Sequence, residues 1–453
     1  MIQLGKRIGG IRSLPLKCLW LGAIVPLIAI PLHASIELED AIIVAQQIDP
    51  WIEGNQYQQQ AIEADSIAAG TLPDPVVNAG FVNVPTNSFE FDEEPMTQFK
   101  AGITQILPRG DSLALRQKQL SVMSSQYPYQ RDDRRAKVAV NVAELWLESF
   151  RANRSIQLIE DDRDLFEHLV DVARSSYAST LGTTRQQDLV RAQLELTRLD
   201  DRLTILRERK ETEEAKLLEW IGPVAAKFVP GRLSGYSTSL DLSKTLPIIS
   251  LQHPELVEAA QPATPQLLAS HLADHPAILN IDKKIDATDT GVALAEQSYK
   301  PEWRINAGYG YRDNSPSGQN RSDFLSVGIA LDLPFFTAKR QDKQVQSAIA
   351  TTEAVRTEKA LLLRSMIAAF DAQRARLHRL DERRELYRTR LLAEMATQAE
   401  ASLTAYTNDD GDFAEVVRAR IAELNAKIDA LDIEVDRLKA ISRLNYFFTN
   451  SRV

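Results

Sequence analysis

From Tyr129 to Ile221 the chain has no proline and a single glycine, Gly182; from Phe335 to Val453 it again has no proline and a single glycine, Gly411. Glycine and proline are the strongest local breaks in a helical pattern. Two such stretches, each with one break, predict two long helical hairpins that turn near those glycines. Arms of 50 to 60 residues would reach roughly 75 to 90 Å at about 1.5 Å per residue. Charge alternation at Arg131 to Arg135 and at Asp381 to Arg384 fits solvated helix faces.

The arm after Gly411 carries apolar residues at Val417, Ile421, Leu424, Ile428, Leu431, Val435 and Leu438. Their spacing alternates four and three, a coiled-coil seam that needs a facing helix. Leu363, Ile367, Phe370, Leu377 and Leu380 on the preceding arm offer one, and Leu189, Leu196, Leu199, Leu203 and Leu206 give the first hairpin a weaker seam. Taken alone, this pattern describes a soluble coiled-coil rod.

The segments ahead of each hairpin change that reading. Trp303, Ile305, Ala307, Tyr309 and Tyr311 alternate with Arg304, Asn306, Gly308, Gly310 and Arg312; after a polar loop, Leu325 to Leu333 alternates in the same way. Period two means strands with one apolar and one polar face. The expected pairs are 303–312 with 324–333, and, more weakly patterned, 76–84 with 98–107. Strands of this length with aromatics on the apolar face suit a membrane barrel whose other face meets water. A small soluble sheet is the competing reading.

The two halves also superimpose. Pro50, Gly102 and Pro108 recur as Pro276, Gly328 and Pro334; Asn78-Ala79-Gly80 recurs as Asn306-Ala307-Gly308; Tyr177 and Gly182 recur as Tyr406 and Gly411. The chain is thus read as a tandem repeat, with a first unit at 35–221, a Pro- and Ser-rich linker at 222–266, a second unit at 267–448 and a tail at 449–453.

Ahead of the first unit, Lys6, Arg7, Arg12 and Lys17 precede the apolar run Leu19 to Leu32 and the small residue Ala34. That layout predicts a secretory signal over 1–34. The run is too short to span a bilayer as a helix, and an uncleaved anchor is the competing reading. Removing those four cations from the 53 basic residues leaves 49 against 62 acidic ones, net −13. So acidic an exported chain is a poor ligand for nucleic acid. The only cysteine, Cys18, lies in the signal, which excludes disulfides and thiolate sites from the mature chain.

Each unit contributes two strands, so one chain offers four, too few to close a barrel. Open strand edges in hydrocarbon would leave backbone groups unpaired at several kcal/mol each. Self-assembly is therefore expected: a dimer would give eight strands filled by side chains, a trimer twelve strands around a lumen.

The order of elements, the duplication, the Gly-Ile-x-x-x-Leu-Pro segments at Gly102 and Gly328, and the Tyr-x4-Gly tips at Tyr177 and Tyr406 resemble the TolC family of outer-membrane efflux channels over essentially the whole mature chain. The resemblance implies a mixed fold: antiparallel helical hairpins forming an α-barrel in the periplasm, and four transmembrane strands per chain forming a shared 12-stranded β-barrel in a homotrimer. It further implies docking of the tips onto a periplasmic adaptor and an inner-membrane pump. Ala68 to Pro75, Asn83-Val84-Pro85 and Glu94 to Gln98 are similar to channels paired with heavy-metal exporters of the resistance-nodulation-division class. Metal cations or drugs are then the expected cargo; a channel for type I protein secretion is the alternative on the same fold, and a periplasmic coiled-coil scaffold the alternative of another class.

By the same resemblance Tyr177, Gly182, Tyr406 and Gly411 are docking-tip candidates. Asp188 and Glu415 take the places of carboxylates that narrow and charge the closed entrance, whereas Arg418 stands where a second acid is usual. Asp409, Asp410 and Asp412 could restore negative potential there, since a symmetric ring of carboxylates focuses field in a narrow passage; the competing reading is a solvated turn with Asp412 as helix N-cap. Arg185 joins Tyr177 and Tyr406 as a candidate for entrance-closing hydrogen bonds. Nothing points to an enzyme, cofactor or metal: nucleophile-elbow and phosphate-loop motifs are missing, and His271 and His275, though spaced i, i+4, include a residue that aligns with Asp49 as a helix start.

Overall fold

The computed structural model describes residues 35–178, 186–222, 240–259, 263–408 and 410–450. The expected signal segment 1–34 lies outside these residues, as do the tip candidates Gly182, Arg185 and Asp409.

Helix α1 (Leu38–Ile48) buries Leu38, Ala41, Ala45 and Ile48, one stripe of a 3.6-residue repeat. Asp49 then starts α2 (Pro50–Ala69): its carboxylate accepts the Trp51 N–H at 3.1 Å, and Pro50 occupies the first turn, where a missing N–H costs nothing. Strands β1 (Val76–Val82) and β2 (Gln98–Leu107) follow, then α3 (Ser112–Ser124), α4 (Gln126–Ala178) and α5 (Gln186–Ile221). The second unit repeats the order after two short helices, α6 (Pro254–Val257) and α7 (Pro265–Leu272): α8 (Pro276–Glu296), β3 (Glu302–Tyr311), β4 (Phe324–Asp332), α9 (Gln341–Leu386), α10 (Leu392–Thr407) and α11 (Phe413–Tyr446).

Three details differ from the expected outline. β1 stops two residues before Val84 because Asn83 takes φ 57°, a left-handed conformation that Asn tolerates better than most. Its side chain donates to the Met96 carbonyl and its own carbonyl accepts from Thr97 Oγ1 at 2.8 Å, which closes the loop. β3 and β4 run over Glu302–Tyr311 and Phe324–Asp332, each ending one residue short of the expected 312 and 333. The second ascending arm is interrupted by a π-helical turn, Tyr387–Leu391. From Pro334 to Tyr406 the second arm is three residues longer than its counterpart from Pro108 to Tyr177, and a π turn accommodates one extra residue without ending the helix.

The core runs along α11. Val417, Leu424, Ile428, Val435 and Leu438 of the heptad seam are buried, with Ile421 and Leu431 partly so. They do not face the preceding arm alone. Toward the tip they meet Ile159, Phe166 and Val170 of α4 together with Leu199 and Leu203 of α5. A second stripe on α11, Ile433, Ile441 and Leu444, packs against Phe370, Leu377 and Leu380 of α9 and against Leu268 and Leu272 of α7. The four arms therefore lie side by side as α5, α4, α11 and α9–α10, with one arm from each unit at either margin.

Polar contacts reinforce the seam between units. Glu148 on α4 accepts from Arg151 on its own helix, from Arg209 of α5 at 2.9 Å and from Lys439 of α11. Arg443 of α11 pairs with Glu144 of α4 across the same interface.

The strands form one antiparallel sheet in the order β1-β2-β3-β4, with the two units meeting at β2–β3. Phe99 opposite Tyr311 and Leu107 opposite Trp303 bracket that central pair.

Candidate functional site

At the second tip, α10 ends at Thr407 and the chain reverses within five residues. The Asp410 N–H donates to the Ala405 carbonyl at 3.0 Å. A Cβ on Gly411 would lie 2.7 Å from the Tyr406 nitrogen and 2.9 Å from the Ala405 carbonyl carbon, so this turn admits only glycine without moving backbone. Asp412 caps α11, its carboxylate accepting the Ala414 N–H at 3.1 Å. Phe413 is buried and packs edge-on against Tyr406, ring centroids 5.4 Å apart.

These contacts sort the candidate residues. Tyr406, Gly411 and Asp412 come together in one turn, with Asp410 exposed beside them. Glu415 forms an ion pair with Arg418 at 2.9 Å, so the cation that replaces the expected second acid directly answers the first. Asp188 is buried in the first turn of α5, whereas Tyr177, at the end of α4, is half exposed.

The sequence reading missed a groove of about 850 Å³ beside this tip, between α10 and α11. Small residues Ala401 and Ala405 floor it. Arg420 spans it, donating to Glu400 at 3.0 Å and Glu423 at 2.9 Å. Burial acts to raise the Glu423 carboxyl, but hydrogen bonds from Arg420 and Lys427 outweigh it and hold the group below its ordinary value. The i, i+3 pair Arg420 and Glu423 was readable in sequence; Glu400, twenty residues away on the other arm, was not.

His275 is a helix start, as its alignment with Asp49 suggested. Its Nδ1 accepts the Ala277 N–H at 3.1 Å and its Nε2 faces the Tyr446 carbonyl at 3.0 Å, which fixes the neutral Nε2–H tautomer. Burial lowers its pKa, partly opposed by the nearby Asp133 carboxylate. Among the described residues no cluster of three or more His, Cys, Asp or Glu is arranged to hold a metal ion.

The sheet has two chemically opposite faces. On one, Val77, Phe81, Ile103, Ile305, Tyr309, Leu325, Val327 and Ile329 are all exposed, and no residue of that face on any of the four strands is charged. On the other, cross-strand rows read Asn78–Gly102–Gly308–Ser326 and Val76–Thr104–Asn306–Gly328. The outer strands β1 and β4 each leave one edge without a partner. No helix among the described residues is long and apolar enough to cross a membrane.

No protein-family model and no curated protein sequence matches the chain. Solved structures do. The outer-membrane channel OprN superimposes with a TM-score of 0.72 at 13% identity, covering 91% of this chain and 90% of that one. CusC, studied for the conformational changes that accompany its folding and transmembrane channel formation, gives 0.70 at 14% identity over 90% and 91%. The open state of the MtrE outer-membrane channel of Neisseria gonorrhoeae gives 0.70 at 14% over 91% and 89%. The chain has the fold of the TolC-family outer-membrane channels. The coverage runs nearly end to end, helical hairpins and sheet together.

Proposed function

We propose that this protein is the outer-membrane channel subunit of a tripartite efflux system, a passive trimeric conduit with a 12-stranded β-barrel and a periplasmic α-barrel. The observation that carries the reading is the sheet: an uncharged apolar face, largely exposed in a single chain, backed by a face on which Asn78, Asn306, Ser326 and five glycines lie. Lipid on one side and water on the other suit both faces. The unpaired edges of β1 and β4 then demand neighbours, because unpaired backbone does not survive in hydrocarbon.

Both layers are open in the same sense. The sheet exposes β1 of the first unit at one margin and β4 of the second at the other, and the helical layer exposes α5 and α9–α10 likewise. Val190, Leu194 and Ile205 on α5, and Ile349, Leu361 and Leu386 on α9, are apolar and exposed. A head-to-tail contact between unlike margins generates a ring when its rotation closes. Three copies give twelve strands and a lumen. The same exposed face argues against a periplasmic coiled-coil scaffold, for which it would be an aggregation hazard.

Periplasmic adaptor and pump would engage the hairpin tips around Tyr177, Gly182, Tyr406 and Gly411, with Asp409, Asp410, Asp412, Glu415, Arg418, Asp188 and Arg185 as entrance candidates. Solutes, metal cations or drugs, would be selected by the pump. The test is purification from the outer-membrane fraction in detergent, mass measurement by light scattering, and conductance in planar bilayers. A trimer that forms ion-conducting pores is expected; a monomer stable in plain buffer, or a protein in the soluble periplasmic fraction, overturns the reading.

A further inference from the structure

Within the strands, four charged residues lie on the polar face of the sheet, Lys100, Glu302, Arg304 and Asp332, and just past β3 Arg312 stacks on Phe324 of the same face. Three of the four sit at the helix end and are answered there: Arg304 pairs with Glu302 at 2.8 Å, and Asp332 pairs with Arg109. Lys100 sits toward the loop end, and among the described residues no carboxylate lies within 4.0 Å of its ammonium. Its direct cross-strand neighbours carry no side chain, although Gln98 and Ser326 border the space above them. Gly80 and Gly310 are its direct cross-strand neighbours, and its Cε passes 3.2 Å from where a Cβ on Gly308 would be. The glycines let the lysine stem lie along the sheet.

We propose that Lys100 is a charge-selecting residue of the conduit: three copies form a cationic ring around the water-filled lumen, which draws anionic solutes and opposes small cations, metal ions included, near the outer exit. This inference rests on the trimeric-channel reading, since the ring exists only if the polar face encloses water. Rings of charged side chains set ion preference in other pores through the field they concentrate. A lysine without a carboxylate partner has no comparable role on a soluble sheet, where solvent would screen it from every side.

Screening also dictates the measurement. In a twelve-stranded lumen the field reaches the axis only when the Debye length is long, about 30 Å at 0.01 M against about 10 Å at 0.1 M. The reversal potential of the purified trimer is therefore read in KCl gradients at both ionic strengths, for wild type, Lys100→Gln and Lys100→Glu. The expected result is a cation-over-anion permeability ratio that rises in the order wild type, K100Q, K100E, by about twofold or more at low salt, and that converges at high salt. Should either replacement impair assembly, K100C gives a second route: the chain's one native cysteine is Cys18, in the expected signal, and labelling the conducting trimer with a cationic thiol reagent is expected to lower the ratio while an anionic one raises it. Conducting variants with unchanged ratios overturn the ring and leave the channel standing. A wild-type trimer that never conducts overturns the channel reading, and the ring with it.

Discussion

Asn78 lies directly opposite Gly102 across the first hairpin, with its Oδ1 2.5 Å from where a Cβ on that glycine would be. The second unit repeats the arrangement atom for atom in kind: Asn306 opposite Gly328, again at 2.5 Å. Each asparagine thus lies across the gap that its partner glycine leaves, on the polar face of the sheet. Duplicated residues have kept a duplicated contact, which gives the sequence repeat its structural meaning.

Replacing both glycines by valine tests that contact. The nearest obstructing atom is the end of an asparagine side chain, free to swing away from the sheet, with the Ala307 carbonyl oxygen 3.3 Å off at Gly102 as the one further tight contact, so G102V with G328V is expected to change stability by about 1 kcal/mol. In the proposed trimeric channel the displaced asparagines would project into the lumen. Single-channel conductance should fall while the yield of assembled protein holds.

Gly411 should behave differently, because what stands in the way there is backbone. Gly411→Ala is expected to cost about 1 to 3 kcal/mol locally, seen as faster hydrogen exchange and proteolysis at the second tip, with the sheet and the opposite end of the hairpin unchanged.

The pH dependence of His275 has a definite sign. Burial lowers its folded-state pKa below the unfolded value of about 6.5, so its stabilising effect is complete above that value and is lost as pH falls toward the folded pKa. Protonation would also put a hydrogen on Nδ1, where the Ala277 N–H now donates. Wild-type melting temperature should drop between pH 7 and pH 5. In His275→Asn, which keeps a capping oxygen and does not titrate, that part of the slope should vanish.

Glu148 answers cations from three helices. Its loss in Glu148→Ala leaves Lys439, largely buried, without its ion-pair partner and with only the Glu144 carboxylate nearby, and destabilisation of about 2 kcal/mol is expected. Chemical denaturation of the detergent-solubilised protein would measure it.

Arg134 is held between Trp51 and Trp220, its guanidinium 5.6 and 5.3 Å from the two rings, while it donates to Asp49 at 2.7 Å. Arg134→Met keeps the bulk of the stem and removes the charge. A loss of about 2 kcal/mol is expected, with a change in tryptophan emission that reports the two rings directly.

Local chemistry carried much of this outline into the sequence. Helices were legible because proline and glycine are absent over long stretches, strands because Trp303 to Tyr311 keeps strict period two, the helix starts at Asp49 and His275 because each is followed by proline, and the repeat because Asn78, Gly102 and Pro108 recur in register. Those signals are one-dimensional and survive without a fold. The π turn at Tyr387–Leu391 was hidden, since an extra residue inside a helix leaves no mark in composition.

What only the tertiary structure decided is which arms face which. The seam on α11 asks for a partner but does not say that α4 of the other unit supplies much of it, because apolar side chains carry no address. The same holds for charge: the sequence offers Glu415 as an entrance carboxylate, and only the fold pairs it with Arg418 at 2.9 Å. Periodicity fixes what each segment must bury, whereas pairing depends on distances between atoms far apart in the chain, and those exist only once the chain has folded.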